Sequence, residues 1–227
     1  MLSETSYASR MINHAVFAAL ALTPVASLAA DRVCAPSSML KVVTAMDVPG
    51  APNGHFGKVP KTVYRAGERY GRVEEALNPS SGLQLLVVVS EPDMWIADLA
   101  SGRGNYHKDP GPTYYFRSRI FGDPAIQSRL INSLEFGCEI DWLLQAGATA
   151  TRGKHPELGE VDGYTYTEGS EVLKLFAKSR VPQRLELHRN GALYAAIRYL
   201  EYIPGLDSKP ALFSRPSGIV FAGEGSK

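Results

Sequence analysis

Cysteine is scarce in this chain, with two among 227 residues. That excludes a disulfide-rich scaffold and a four-cysteine zinc site. An excess of one charge is also missing. Lys and Arg number 24 against 23 Asp and Glu, which argues against a nucleic-acid binder that depends on a strong basic field. The histidines, His14, His55, His107, His155 and His188, are scattered singly, and none forms HxH, HExxH or a pair with a nearby cysteine. There is no GxGxxG, no Walker loop and no GxSxG elbow. Gly102-Arg103-Gly104 is a turn rather than a phosphate cradle, because no helix follows it. These absences set the expectation of a protein with no metal, no cofactor and no catalytic residues, hence not an enzyme, and with no nucleic-acid partner.

Long apolar runs are absent too. Residues 15–30 come nearest, but Pro24 interrupts them and they fall short of the roughly 20 residues a membrane span needs. Arg10 precedes this run, and Ser27-Leu28-Ala29 ends it with small residues. The order is that of a secretory signal peptide, 1–29, cut after Ala29 or Ala30. The mature chain, 30–227, carries no linker and no internal repeat, so it reads as one exported domain, periplasmic or secreted, without a transmembrane segment. In an oxidising compartment Cys34 and Cys138 can pair; the alternative is two free buried thiols.

What the chain has in quantity is turn residues, with 21 Gly and 15 Pro. They punctuate short strand-like runs at 40–48, 61–65, 69–77, 83–90, 94–98, 104–108 and 113–121. The pattern changes at Asp123-Pro124, an N-cap followed by a proline suited to the first helical turn. From there Ile126, Leu130, Leu134, Cys138 and Trp142 recur at helical spacing, which predicts a long mid-chain helix over 123–146, with Gly137 as a point where it can split and Gly147 as its stop. Residues 149–156 read as a polar loop. Strands resume at 164–167, 172–177, 183–189 and 192–203, the last two joined by Asn190-Gly191, a strong hairpin signal. Strands, one long helix, then strands give an α+β chain with an antiparallel sheet and the helix on one face.

The charged residues offer little chemistry. Glu135, Glu139 and Asp141 read as a solvated helix rim or, alternatively, as a general acid and base in an unrecognised hydrolase. Arg65, Arg69, Arg72, Arg117 and Arg119 form no run and read as a solvated or rim arrangement. The apolar residues leave two readings open. Either the long helix seals an ordinary core, or a curved sheet encloses an apolar cavity with aromatic side chains around it. Trp95, Tyr106, Tyr115, Phe116, Trp142 and Tyr199 are the candidates for lining such a cavity.

Several segments taken in order resemble a known family. Val63-Tyr64-Arg65-Ala66-Gly67-Glu68-Arg69-Tyr70-Gly71-Arg72 resembles the opening strand pair of exported LolA-like proteins, the outer-membrane lipoprotein-sorting superfamily. Met94-Trp95-Ile96-Ala97-Asp98 resembles their W-x-x-D strand, and Val161-Asp162-Gly163-Tyr164-Thr165-Tyr166 a later one. Ala211-Leu212-Phe213-Ser214-Arg215-Pro216-Ser217-Gly218-Ile219 resembles their closing segment. The resemblance covers about 60–220. It implies a strongly curved antiparallel sheet, a half-open barrel, with helix on its concave face. It implies further that the protein binds a lipid, a lipoprotein acyl chain or another apolar ligand between sheet and helix, its partner being that ligand or a lipid-modified protein. The alternative is a structural or protein-interaction domain of the cell envelope, its cavity filled, with the apolar run 83–89 meeting an envelope protein partner.

Overall fold

The computed structural model describes residues 36–52, 54–108 and 134–224. The signal peptide, Cys34, Tyr115, Phe116, the run 113–121 and the first part of the expected helix lie outside the described residues.

Two meanders make one sheet. The first holds β1 (Met39–Asp47), β2 (Lys61–Ala66), β3 (Tyr70–Glu75), β4 (Leu85–Ser90), β5 (Asp93–Asp98) and β6 (Arg103–Lys108). The second holds β7 (Thr149–His155), β8 (Gly159–Glu168), β9 (Glu171–Lys178), β10 (Val181–Arg189) and β11 (Ala192–Leu206). Antiparallel pairing of β1 with β11 joins them, and a short β12 (Val220–Ala222) adds itself parallel to β6. The sheet order is β12-β6-β5-β4-β3-β2-β1-β11-β10-β9-β8-β7. Turn chemistry explains the hairpins. Asn190 and Gly191 both have positive φ, 50° and 80°, which is what a two-residue turn needs if its twist is to match the strands it joins. Gly104 serves a different need. A side chain there would meet Ile96 O at 2.5 Å and the Phe221 ring at 2.7 Å, so only glycine lets β12 lie against β6.

Two expectations about architecture are overturned. The sheet is open, ending in β12 on one side and β7 on the other, and is neither a half-open barrel nor strongly curled. The mid-chain helix is also not long. Leu134–Cys138 run as a bridge and turns, and α1 covers only Glu139–Gln145. The physical reason is visible in burial and backbone. Every residue from Leu134 to Ile140 except Gly137 is buried, so the segment is enclosed and does not present one apolar face as an amphipathic helix would. Gly137 has φ 96°, and Gly147, with φ 90°, follows the end of α1; both lie in the left-handed region that only glycine enters freely. The expected loop at 149–156 is instead the edge strand β7. Its residues Thr149–Lys154 are all exposed, so no apolar alternation announces it.

Apolar side chains cover different faces in different parts of the sheet. On one face, Leu40, Val42, Leu173, Leu175, Leu185, Leu187 and Ile197 pack with Leu134, Phe136, Ile140 and Leu143 from the α1 segment. On the other face, Leu86, Val88, Trp95 and Ala97 pack with Phe221, with Leu99, Tyr106 and Ile219 partly buried against them. Among the described residues no helix is long and apolar enough to cross a membrane.

Candidate functional site

The register of the first meander places side chains in rows across it. Val42 pairs with Val63, Val63 with Val73, Val73 with Val87, Val87 with Ile96, and Ile96 with Asn105. Because Val42 and Val63 belong to the core under α1, the whole row lies on the α1 face. Burial fades along it. Val42 and Val63 are buried, Val73, Val87 and Ile96 half-buried, and Asn105 exposed. The outer end opens into a groove of about 740 Å³ lined by Leu85, Ile96, Asn105, Val220 and Phe221 among others. That volume lies within the range of small-molecule sites, roughly 300–1,000 Å³. Val220 there is 74% exposed.

Directly beneath α1 the core is closed to solvent. Leu134, Leu143, Leu173, Leu175 and Leu187 have no exposed surface. A pocket of about 220 Å³ beside α1, lined by Glu139, Arg180, Pro182 and Tyr202 among others, is smaller than those sites.

Next to the apolar row sits a buried polar cluster. Arg65, on β2 two residues from Val63, has no exposed surface. Its Nη2 donates to Glu135 Oε2 at 2.6 Å and its Nη1 to the Phe136 carbonyl at 2.8 Å. Glu139, in the first turn of α1, is 2% exposed. It accepts from the Gly137 N–H at 3.0 Å and from the Tyr199 hydroxyl at 3.2 Å. Burial pushes the Glu139 carboxyl up to about 7, against the pull of those two bonds and of the Arg65 charge. Burial also lowers Arg65 against the opposing pull of Glu135, and raises the phenols of Tyr199 and Tyr202. Thr44, whose strand partner is Tyr199, keeps a buried hydroxyl with no hydrogen-bond partner among the described residues. Arg65, Glu135 and Glu139 are therefore interior groups and not the solvated rim their sequence pattern indicates. The sequence offers no signal for this, because apolar residues alternating with glutamate read as a half-buried segment with its carboxylates in solvent.

The aromatic candidates do not converge. Trp142 and Tyr199 lie on the α1 face; Trp142 meets Tyr166 edge-on at 5.9 Å, and Tyr199 is buried in the core. Trp95 and Tyr106 belong to the adjacent row, Tyr64–Arg72–Val88–Trp95–Tyr106, and so to the opposite face. They lie 6.0 Å apart, ring to ring. Trp95 Nε1 donates to Glu224 at 3.1 Å and the Tyr106 hydroxyl to Asp93 at 2.6 Å. Cys138 is buried and disulfide-bonded.

That opposite face carries a second charged group on the other meander. Glu186 accepts from Arg184 Nε at 2.8 Å and lies 2.9 Å from His188 Nε2 and 3.9 Å from His155 Nε2. Burial opposes its ionisation, but Arg184 and His188 outweigh that and hold its carboxyl below the ordinary range. His155 Nδ1 accepts from the Glu157 and Leu158 amides, which leaves Nε2 to carry the ring proton and not a lone pair. Among the described residues no group of three or more His, Cys, Asp or Glu is placed to hold a metal.

No protein-family model matches the chain, and no curated protein matches it either. Among solved structures, it is similar to that of an uncharacterized conserved protein from Thermus thermophilus, at 14% identity and a TM-score of 0.48, over 82% of this chain and 90% of that one. It is also similar to MucB in complex with MucA(peri), at 10% identity and a TM-score of 0.37, over 79% of this chain and 55% of that one, so it spans about half the length of that chain. At these scores neither likeness bears on what the chain does.

Proposed function

We propose that the chain is an exported protein of the cell envelope, without catalytic activity, that binds an apolar ligand such as a lipid acyl chain. The ligand lies along the half-buried row Val73–Val87–Ile96 and in the groove at its end, not beneath α1. The observation that carries this reading is the row itself. Its apolar side chains continue from the closed core out to a groove of ligand size, where burying their surface yields about 25 cal/mol per Å². The resemblance to the LolA-like family supports the same class of ligand. Native mass spectrometry of protein purified from its own envelope tests it. Wild type is expected to carry a lipid, and Ile96→Lys, which places a charge in the groove, to carry none while its far-UV spectrum is unchanged. A ligand-free wild type, or equal loading of both proteins, overturns the reading.

One observation favours a second reading. The leucines under α1 have no exposed surface, as a protein-interaction domain without a ligand would have it. Ligand-free protein that captures an envelope protein through the same row, and loses it in Ile96→Lys, would decide for this alternative.

Export also implies that Cys138 bridges to Cys34, the chain's other cysteine. Alkylation under denaturing conditions is then expected to modify no cysteine before reduction and both after it. Modification of either before reduction counts against the bridge.

A further inference from the structure

We infer that the apolar ligand of the groove carries an anionic head, a carboxylate or a phosphate, held by Arg103 of β6 with Asn105 beside it, while its tail runs inward along the sheet. The inference rests on the ligand reading and adds the chemistry of the ligand's other end. Register across the first meander carries it. Next to the row Val73–Val87–Ile96–Asn105 lies a second row on the same face, two residues away along each strand. Its strand pairs are Lys61 with Glu75, Leu85 with Asp98, Asp98 with Arg103, and Arg103 with Val220. Leu85, Asp98, Arg103 and Val220 all line the groove, and so does Asn105.

The charges of this second row are engaged, with one exception. Lys61 Nζ donates to Glu75 Oε1 at 2.5 Å. Asp98 faces its own turn, where its Oδ1 accepts from the Gln84 N–H at 3.0 Å and the Ala100 N–H at 3.1 Å. The Gln84 amide foremost, then the Ser101 hydroxyl and the Ala100 amide, hold its carboxyl below the ordinary range. Arg103 is exposed and, among the described residues, makes no ion pair and no side-chain hydrogen bond, although Asp98 is its strand partner. Asn105 is exposed too, and its side-chain amide is equally open. A guanidinium and an amide thus offer N–H donors at the groove with no acceptor spent on them. The guanidinium fork matches the paired oxygens of a carboxylate or a phosphate. A neutral head would cover Arg103 without giving it a counter-charge, and a cationic one would be repelled.

Position fixes which way the ligand lies. Arg103 begins β6, at the end of the sheet, and pairs with Val220, whose 74% exposure is the highest of any large apolar side chain among the described residues. A head on Arg103 therefore leaves the tail against Val220, Leu85 and Ile96. From there it runs toward Val87 and Val73, in the direction in which burial increases to Val63. Cation and apolar floor are adjacent parts of one groove, which suits a single-chain amphiphile.

Decanoate, decyl phosphate and decan-1-ol share one tail and differ in the head. Titration calorimetry of the protein is expected to show the two anions bound about tenfold more tightly than the alcohol. Arg103→Gln should bring both anions down to the alcohol's affinity and leave the alcohol unchanged, while Arg103→Lys should keep part of the preference. Arg152→Gln removes an exposed cation from β7, at the far edge of the sheet, and should alter none of the three. Equal affinities for the three probes, or equal losses in Arg103→Gln and Arg152→Gln, overturn the inference and leave the ligand reading standing. Binding of none of the three overturns both. Acetate or inorganic phosphate bound as tightly as the long-chain anions would mark a site for free anions and refute the arrangement of head and tail.

Discussion

Arg65→Met is expected to lower folding stability by about 3–5 kcal/mol, the largest effect of any single charge among the described residues. Arg65 has no exposed surface, and its loss takes a donor from the buried Glu135 carboxylate and from the Phe136 carbonyl. Desolvation of those two groups is the source of the loss, more than the worth of the ion pair itself. A double variant separates the two. Arg65→Met with Glu135→Leu removes both charges together and should recover most of the deficit, since an apolar pair of similar volume commonly matches a buried ion pair. Urea melts of wild type, both single variants and the double variant measure the coupling. A double variant no better than Arg65→Met would show that the guanidinium acts through something other than Glu135. The exposed pair Arg180–Asp141 supplies the contrast. Its side chains are 62% and 56% exposed, so breaking it should cost under about 1 kcal/mol.

Leu175→Ala is the second large effect, expected at about 2–5 kcal/mol. Leu175 sits on β9, between Tyr164 of β8 and Leu185 of β10, with no exposed surface. The neighbouring strands are fixed by their ladders, so the sheet cannot close over the missing side chain and a cavity is left. The urea midpoint should fall with the slope of the transition unchanged. Leu200→Ala on β11, where the side chain is 51% exposed, should stay within about 0.5 kcal/mol of wild type. Equal losses at both positions would mean that the α1-face core does not carry the stability its burial indicates.

Much of the sheet is legible in the sequence because its turns are written in glycine, proline and asparagine. Gly67, Asn190-Gly191 and Ser101-Gly102 each sit between strands, close to the ends of the strand-like runs. β7 is not legible. Thr149, Thr151, Arg152 and Lys154 are exposed on both sides of an edge strand, and a strand without a buried face has no period to read. The expected long helix fails for the opposite reason. Leu134, Cys138 and Trp142 fit a spacing of four while Leu134, Phe136, Cys138 and Ile140 fit a spacing of two. Only the backbone at Gly137 decides between them.

The buried cluster is hidden by a further ambiguity. Alternation puts Arg65 on the same face as Val63, but nothing in the order of residues says whether that face or the Tyr64 face meets the core, because that follows from register across strands. The same parity separates Trp95 and Tyr106 from Trp142 and Tyr199. The partner of Arg65 lies 70 residues on, beyond the reach of any local pattern.

The pairing of β1 with β11 also orders events in time. Lys41 and Glu201, bonded across it, are 160 residues apart. In a chain made from its N-terminus, the first meander can pair strand by strand through local turns, yet β1 keeps one open edge until almost all of the polypeptide exists. Closing so long a loop makes assembly slow compared with the hairpins on either side. During that interval β1 offers an unpaired strand, with Leu40, Val42 and Met46 on one face, to any other strand nearby. The centre of the finished sheet is the margin of the half-made one, and the wait for β11 is when a nascent chain is most exposed to pairing with the wrong neighbour.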